Sequence, residues 1–117
     1  MDEKEFEKGI LYFNCGEYFE AHETWEGIWT DASGAERAYL QGLIQVSVAM
    51  HHARNENWGG TRKLLASALG YLEKGGSFTG TVNLEKLKDH VLDFENSVQA
   101  RLKGENSVLP FFSMPIK

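Results

Sequence analysis

The sequence predicts an all-α fold, a compact bundle of about five helices with an extended apolar C-terminal tail, and three observations carry that prediction. Apolar residues recur at helical spacing almost throughout, no stretch shows the period-2 alternation of a half-buried strand, and turn chemistry falls between the periodic segments. The size suits one core, because a chain of 117 residues buries on the order of two-thirds of the surface it exposes when unfolded. Residues 1–117 are therefore read as a single helical domain.

The first helix starts at Asp2, a residue type that caps free backbone N–H groups, carries Phe6, Ile10 and Phe13 inward, and stops at Asn14-Cys15-Gly16. The second follows from about Glu17 to Asp31, after which Asp31-Ala32-Ser33-Gly34 turns the chain. The third extends from about Ala35 to Arg54, where Asn55-Glu56-Asn57 loosens it, and the fourth spans Trp58 to Lys74. Gly75-Gly76-Ser77 through Thr81 is the clearest loop. The fifth helix, about Leu84 to Lys103, lines up Leu87, Val91, Phe94, Val98 and Leu102 on one face. Residues 104–117 form the tail. Its segments Val108-Leu109-Pro110-Phe111-Phe112 and Met114-Pro115-Ile116 are too apolar for a freely solvated terminus, so the tail is expected to strap across the bundle or a partner.

Composition narrows the functional classes. Lysine and arginine total 12 against 17 acidic residues, the formal net charge is −5, and the cations are scattered. No basic face offers itself to nucleic acid or to an anionic membrane, and neither is expected as a partner. The single cysteine, Cys15, leaves no disulfide framework or thiolate zinc cage within the chain and fits a reducing compartment. The opening segment Met1 to Phe6 lacks the basic start and apolar core of a secretory signal. No apolar run approaches the roughly 18 residues of a membrane span. The expected location is cytoplasmic.

On a helical wheel, Tyr18, Phe19, His22, Trp25, Glu26 and Trp29 of the second helix share one arc, while Glu17, Glu20, Thr24, Gly27 and Asp31 lie opposite. The aromatic arc is expected to face inward and to carry His22 and Glu26 with it. In the third helix Tyr39, Leu43, Val46 and Met50 make an apolar stripe flanked by Leu40, Ile44 and Ala49. Arg37, Gln41, Gln45, His52 and Asn55 align on the other side. A helix apolar around most of its circumference is central, so its polar stripe faces another element. Because an unpaired buried amide costs roughly 1–3 kcal/mol, the expected arrangement sets Gln41, Gln45 and His52 against His22 and Glu26 in one polar pocket.

The segment His22-Glu23-Thr24-Trp25-Glu26-Gly27-Ile28-Trp29, followed by Gln41-Gly42-Leu43-Ile44-Gln45 and then His51-His52, resembles the domain of unknown function 309 family. That family is marked by an HxxxExxW segment on one helix and a QGLIQ segment with a following histidine on the next. The lead-in from Phe13 to Ala21 and the Asn57-Trp58-Gly59-Gly60 segment are similar to the family's as well. The resemblance covers roughly residues 5 to 75. It implies a compact helical fold and a site made of His22, Glu26, Trp29, Gln41, Gln45 and one of His51 and His52, with helical phase favouring His52. It brings no biochemical activity, so catalysis is left open.

Four readings of these residues compete. In the first they are a satisfied structural network, Glu26 pairing with His22 and the tryptophans anchoring the core. In the second, His22 and Glu26 at i and i+4 join His52 as a two-His, one-carboxylate set for a divalent metal, in a hydrolase-like enzyme. Neither an HExxH zinc motif nor a duplicated Glu-x-x-His di-iron signature is present. In the third, Glu26 orients His22 for metal-free binding or acid–base chemistry on a small polar molecule, the glutamine amides read its polar groups, and Trp25 and Trp29 supply walls. The fourth is a protein-interaction module, suited to a homodimer, docking through the tail or the fourth helix.

Other residues have two readings each. Cys15 reads as core in preference to a reactive thiol, His90 as a partly exposed helix histidine in preference to a pocket residue, and Arg37 either binds an anionic ligand or pairs with Glu26, with pairing slightly preferred. Gly59-Gly60-Thr61 lacks the Walker lysine spacing and follows no strand, so it is discounted as a phosphate-binding turn.

Overall fold

The backbone's capping chemistry sets where the helices begin. Asp2 is extended and its carboxylate accepts from the N–H groups of Lys4 and Glu5, starting α1 (Glu3–Asn14). Gly16, at φ 79°, supplies the left-handed turn between α1 and α2 (Tyr18–Trp29). The third helix, α3, spans Gly34–Arg54. Asn57 caps α4 (Trp58–Lys74) by accepting from Gly60 N at 3.0 Å, and Asn83 caps α5 (Leu84–Leu102) by accepting from Lys86 N at 3.1 Å. A 3-10 turn at Gly75–Ser77 closes α4. The computed structural model describes all 117 residues, and the chain is an all-α bundle of five helices, as its periodicity predicts.

Central α3 packs against both α2 and α4. Its Tyr39, Leu40, Leu43, Val46, Ala49 and Met50 are fully buried, which matches the apolar stripe and flanks of the wheel. Gly42 lets α4 approach, because a Cβ there would stand 2.5 Å from Leu72 Cδ2. On the other flank the Trp25 indole lies against Gly9 of α1 and donates to Phe6 O at 3.1 Å, so the largest core side chain is also hydrogen-bonded. One continuous cluster of 23 buried apolar residues results. The radius of gyration, 13.5 Å, equals what about 2.2·N^0.38 gives for a globule of this length.

The tail straps across the bundle. Val82 and Ile116 form an antiparallel bridge, Asn83 N donates to Pro115 O at 2.8 Å, and Lys117 N donates to Thr81 O at 2.9 Å. Met114 is buried, and its N–H donates to Asn14 Oδ1 at 2.8 Å. Phe112 stacks on His90 with centroids 4.7 Å apart and meets Phe13 at 5.6 Å. His90 is thus half-buried at the tail seam. No helix is long and apolar enough to cross a membrane.

Two packing expectations need correction. Cys15 is exposed, because it is the residue that ends α1, with its side chain outside the core. Leu102 is also half exposed, since it is the last residue of α5 and lies beyond the buried stripe that ends at Val98.

Candidate functional site

The face that α2 turns inward is made by Tyr18, Ala21 and Trp25, continued by Ile28 and Ala32. The inward arc drawn through the large residues is therefore rotated. Phe19 is 48% exposed and the Glu26 side chain 53%, whereas His22 is 16% exposed and Trp29 sits half-buried at the boundary. The cause is packing by α1: Phe6 and Phe13 both lie against Trp25, and fully buried Ala21 goes inward beside it. The His22 and Glu26 positions consequently border a groove between α2 and α3 and are not sealed inside.

At the middle of this groove His22 Nε2 lies 3.1 Å from Glu26 Oε1, and His22 Nδ1 lies 2.5 Å from Phe19 O. Both ring nitrogens therefore face oxygen atoms, Nε2 the Glu26 carboxylate and Nδ1 the Phe19 carbonyl. Beyond His22, Phe19, Val48, His51 and His52 line a hollow of about 210 Å³. Both histidines of the pair therefore reach the site. His51 lies nearer α2, its ring 5.9 Å from that of Phe19, while His52 Nδ1 faces Asn57 Nδ2 at 3.3 Å.

On the other side of the pair Glu26, Trp29, Arg37, Gln41, Tyr71 and Lys74 line a larger cavity of about 360 Å³. The expected Arg37–Glu26 pair does not form. Arg37 stacks on the Trp29 ring with its Cζ 3.7 Å from the ring centre, and its Nη1 donates to Trp29 O and Ala32 O at 3.4 and 3.3 Å. The stack, the Trp29 carbonyl at the end of α2 and the Ala32 carbonyl in the following turn hold the guanidinium there, and Glu26 is engaged by His22 instead.

The expected single pocket is thus two hollows joined by one ion pair. Gln41 shares the larger with Glu26 and Trp29; His51 and His52 share the smaller with His22. Trp25 belongs to the core and to neither hollow. Gln45 makes no bond to His22 or Glu26. Its Oε1 and the Trp29 Nε1 are buried without any hydrogen-bond partner in the chain, and they are the two side-chain atoms of which this is true. His22, Glu26 and His52 do not converge as a ligand set: no group of three His, Cys, Asp or Glu side chains is placed to hold a metal ion. Gly59, Gly60 and Thr61 open α4, where the Thr61 hydroxyl donates to Asn57 O at 2.8 Å.

Sequence reasoning missed Tyr71 and Lys74. They lie three residues apart on α4, a spacing that puts them on one side of that helix, but only the docking of α4 on α3 brings that side to the groove.

Fold and groove together define a class: a small helical bundle whose second and third helices present a His–Glu–Trp stripe and a Gln–His stripe to each other. The chain belongs to the family described as Domain of unknown function (DUF309), whose model matches residues 6–64, from α1 into α4. It is also similar to the uncharacterized protein YpuF of Bacillus subtilis (strain 168), at 36% identity over 58 residues. That match takes in 49% of this chain and 33% of the relative, so the chain spans about a third of that protein's length.

Proposed function

We propose that the α2–α3 groove is a binding site for a small polar molecule, with the His22–Glu26 pair as its central recognition element and without a resident metal. One observation carries this reading. The only two buried side-chain polar atoms left without partners, Trp29 Nε1 and Gln45 Oε1, both sit on the two stripes that border the groove. An unsatisfied buried donor or acceptor costs roughly 1–3 kcal/mol, and a chain that satisfies the rest of its buried side-chain polar atoms leaves this capacity on α2 and α3. Trp29 lines the larger hollow, which at about 360 Å³ is of a size that admits a small molecule, and a smaller one of about 210 Å³ opens beside His22. The setting is the cytoplasm, which suits the single exposed Cys15.

Thermal-shift titration tests the reading. The panel holds neutral amides, alcohols, carboxylates and phosphates, run on wild type, His22→Ala and Gln45→Leu. At least one class should raise the melting temperature of wild type and lose that effect in a variant. A flat response in every class, with His22→Ala strongly destabilised, would return the groove to a structural network.

A further inference from the structure

Charge is distributed unevenly around the groove. The chain carries a formal net charge of −5, yet the larger hollow holds two cations, Arg37 and Lys74. Neither is in an ion pair, since the pairs in the molecule are His22–Glu26, Lys88–Glu73 and Lys88–Glu85. Arg37 is the better placed. Its Nη1 is taken by Trp29 O and Ala32 O, its plane is held on the indole, and its other N–H groups have no acceptor in the chain. A guanidinium fixed in this way keeps a free fork that matches the two oxygens of a carboxylate or phosphate, with little left to order on binding.

Three further side chains define the rest of the ligand. The Gln41 amide can donate to an anion's oxygens, and Tyr71 adds an aromatic wall. Glu26 is the only carboxylate on the lining. Its Oε1 is held by His22, and its charge opposes a second anionic group while favouring a hydrogen-bond donor.

We propose, resting on the binding reading above, that the Arg37–Lys74 end of the groove binds a small anion, a carboxylate or phosphate group on a molecule that also presents an amine or hydroxyl toward Glu26. This assigns the ligand's chemical class and its orientation, the anionic end on α3 and α4 and the donor end toward α2.

The test is an NMR titration of the ¹⁵N-labelled chain, read at the indole N–H signals of Trp25, Trp29 and Trp58, which are few enough to assign by a Trp29→Phe variant. The probes are 5-aminopentanoate, O-phosphoethanolamine and the uncharged glutaramide. The two charged probes separate carboxylate from phosphate as the anion. Both or either should move the Trp29 signal saturably, glutaramide should not, and Lys74→Gln should weaken binding about tenfold, a loss of one charge contact. Arg37→Gln should weaken it further. Lys74 is exposed at the end of α4, so its variant tests the site even where Arg37→Gln loosens the turn after α2. Glutaramide binding as tightly as the charged probes, or Lys74→Gln leaving both affinities unchanged, overturns the proposal while the groove remains a binding site. A silent Trp29 signal with every probe up to about 0.1 M, weaker than any specific site, overturns the anion proposal. If the neutral classes of the thermal-shift panel are silent too, the binding reading falls with it.

Discussion

The two sides of α3 treat their buried polar groups in opposite ways. Toward the tail, the Tyr39 hydroxyl accepts from Val82 N at 3.1 Å, Val82 bridges to Ile116, and Met114 N finds Asn14. At the far end of α5, Arg101 donates to Ser107 O and Ser107 donates to Ser97 O, which ties the tail to its own helix. Every buried side-chain polar atom on that side has a partner. Toward α2, Gln45 Oε1 and Trp29 Nε1 have none, and Arg37 keeps free donors beside an open cavity. The difference separates two uses of polarity. A seam that must only hold completes its bonds within the chain, whereas under the binding reading proposed above the groove keeps some of them for a ligand.

The seam should therefore break hard. Met114 is 3% exposed, so Met114→Ala should cost on the order of 2–5 kcal/mol, read by denaturant unfolding, and should release residues 104–117 to fast amide exchange. A cost below about 1 kcal/mol, the scale of a surface change, would mean that the strap is dispensable and the comparison is misdrawn.

Tyr39 offers the next largest effect, through pH. Burial pushes its hydroxyl up to about 12 from the ordinary 10.0, against the lowering effect of the Val82 N–H. The folded value is raised, so the stabilisation is fully present below pH 10 and is lost as pH rises through about 12. Two units correspond to about 2–3 kcal/mol. Unfolding midpoints of wild type should fall steeply across this window, and those of Tyr39→Phe should fall less. Parallel curves for the two proteins would show that Tyr39 is not the group responsible.

How much of this was legible in the sequence follows from the range of each interaction. Helix limits depend on neighbours in sequence: Asp2, Gly16, Asn57 and Asn83 act within a few residues, and the expected and observed ends of α4 coincide at Trp58 and Lys74. The α3 stripe was equally plain, because it is long and its large apolar residues agree. The phase of α2 is less legible. A wheel weighted by large residues turns Phe19 and Glu26 inward and passes over Ala21, whereas which flank of a short amphipathic helix goes inward is decided by the neighbour, here Phe6 and Phe13 of α1. The partner of Arg37 is hidden for a similar reason. Charge favours Glu26, but the turn at Ala32 places the guanidinium on Trp29. The family motif located the groove, while its division into two hollows and the part played by Tyr71 and Lys74 come from the docking of α4, which no local pattern records.

Gln45 tests the comparison in the opposite sense. A leucine in its place removes the unpartnered Oε1 at similar volume, so Gln45→Leu should stabilise the protein by about 1 kcal/mol, a rise of roughly 4–8 °C in the thermal midpoint for a domain near this size. A glutamine from a completed network would behave as the seam does and lose stability on the same change. A fall of the midpoint would thus place Gln45 among the structural groups.

The smallest expected stability effect belongs to Glu26, and it is the most informative about binding. Its carboxylate is half exposed and pairs with His22 one helical turn away, so water screens most of the attraction, and Glu26→Gln should change stability by no more than about 0.5 kcal/mol. The same substitution removes the negative charge opposite Arg37 and Lys74. A dicarboxylate such as glutarate, whose second charge meets Glu26 in wild type, should then bind more tightly, and the preference for 5-aminopentanoate over glutarate should narrow. Titration of both ligands on both proteins measures this against an unchanged melting curve. A variant that melts several degrees lower would make Glu26 as structural as Met114. One that melts normally and keeps the same preference would show that Glu26 does not face the ligand, moving the donor end of the anion away from α2.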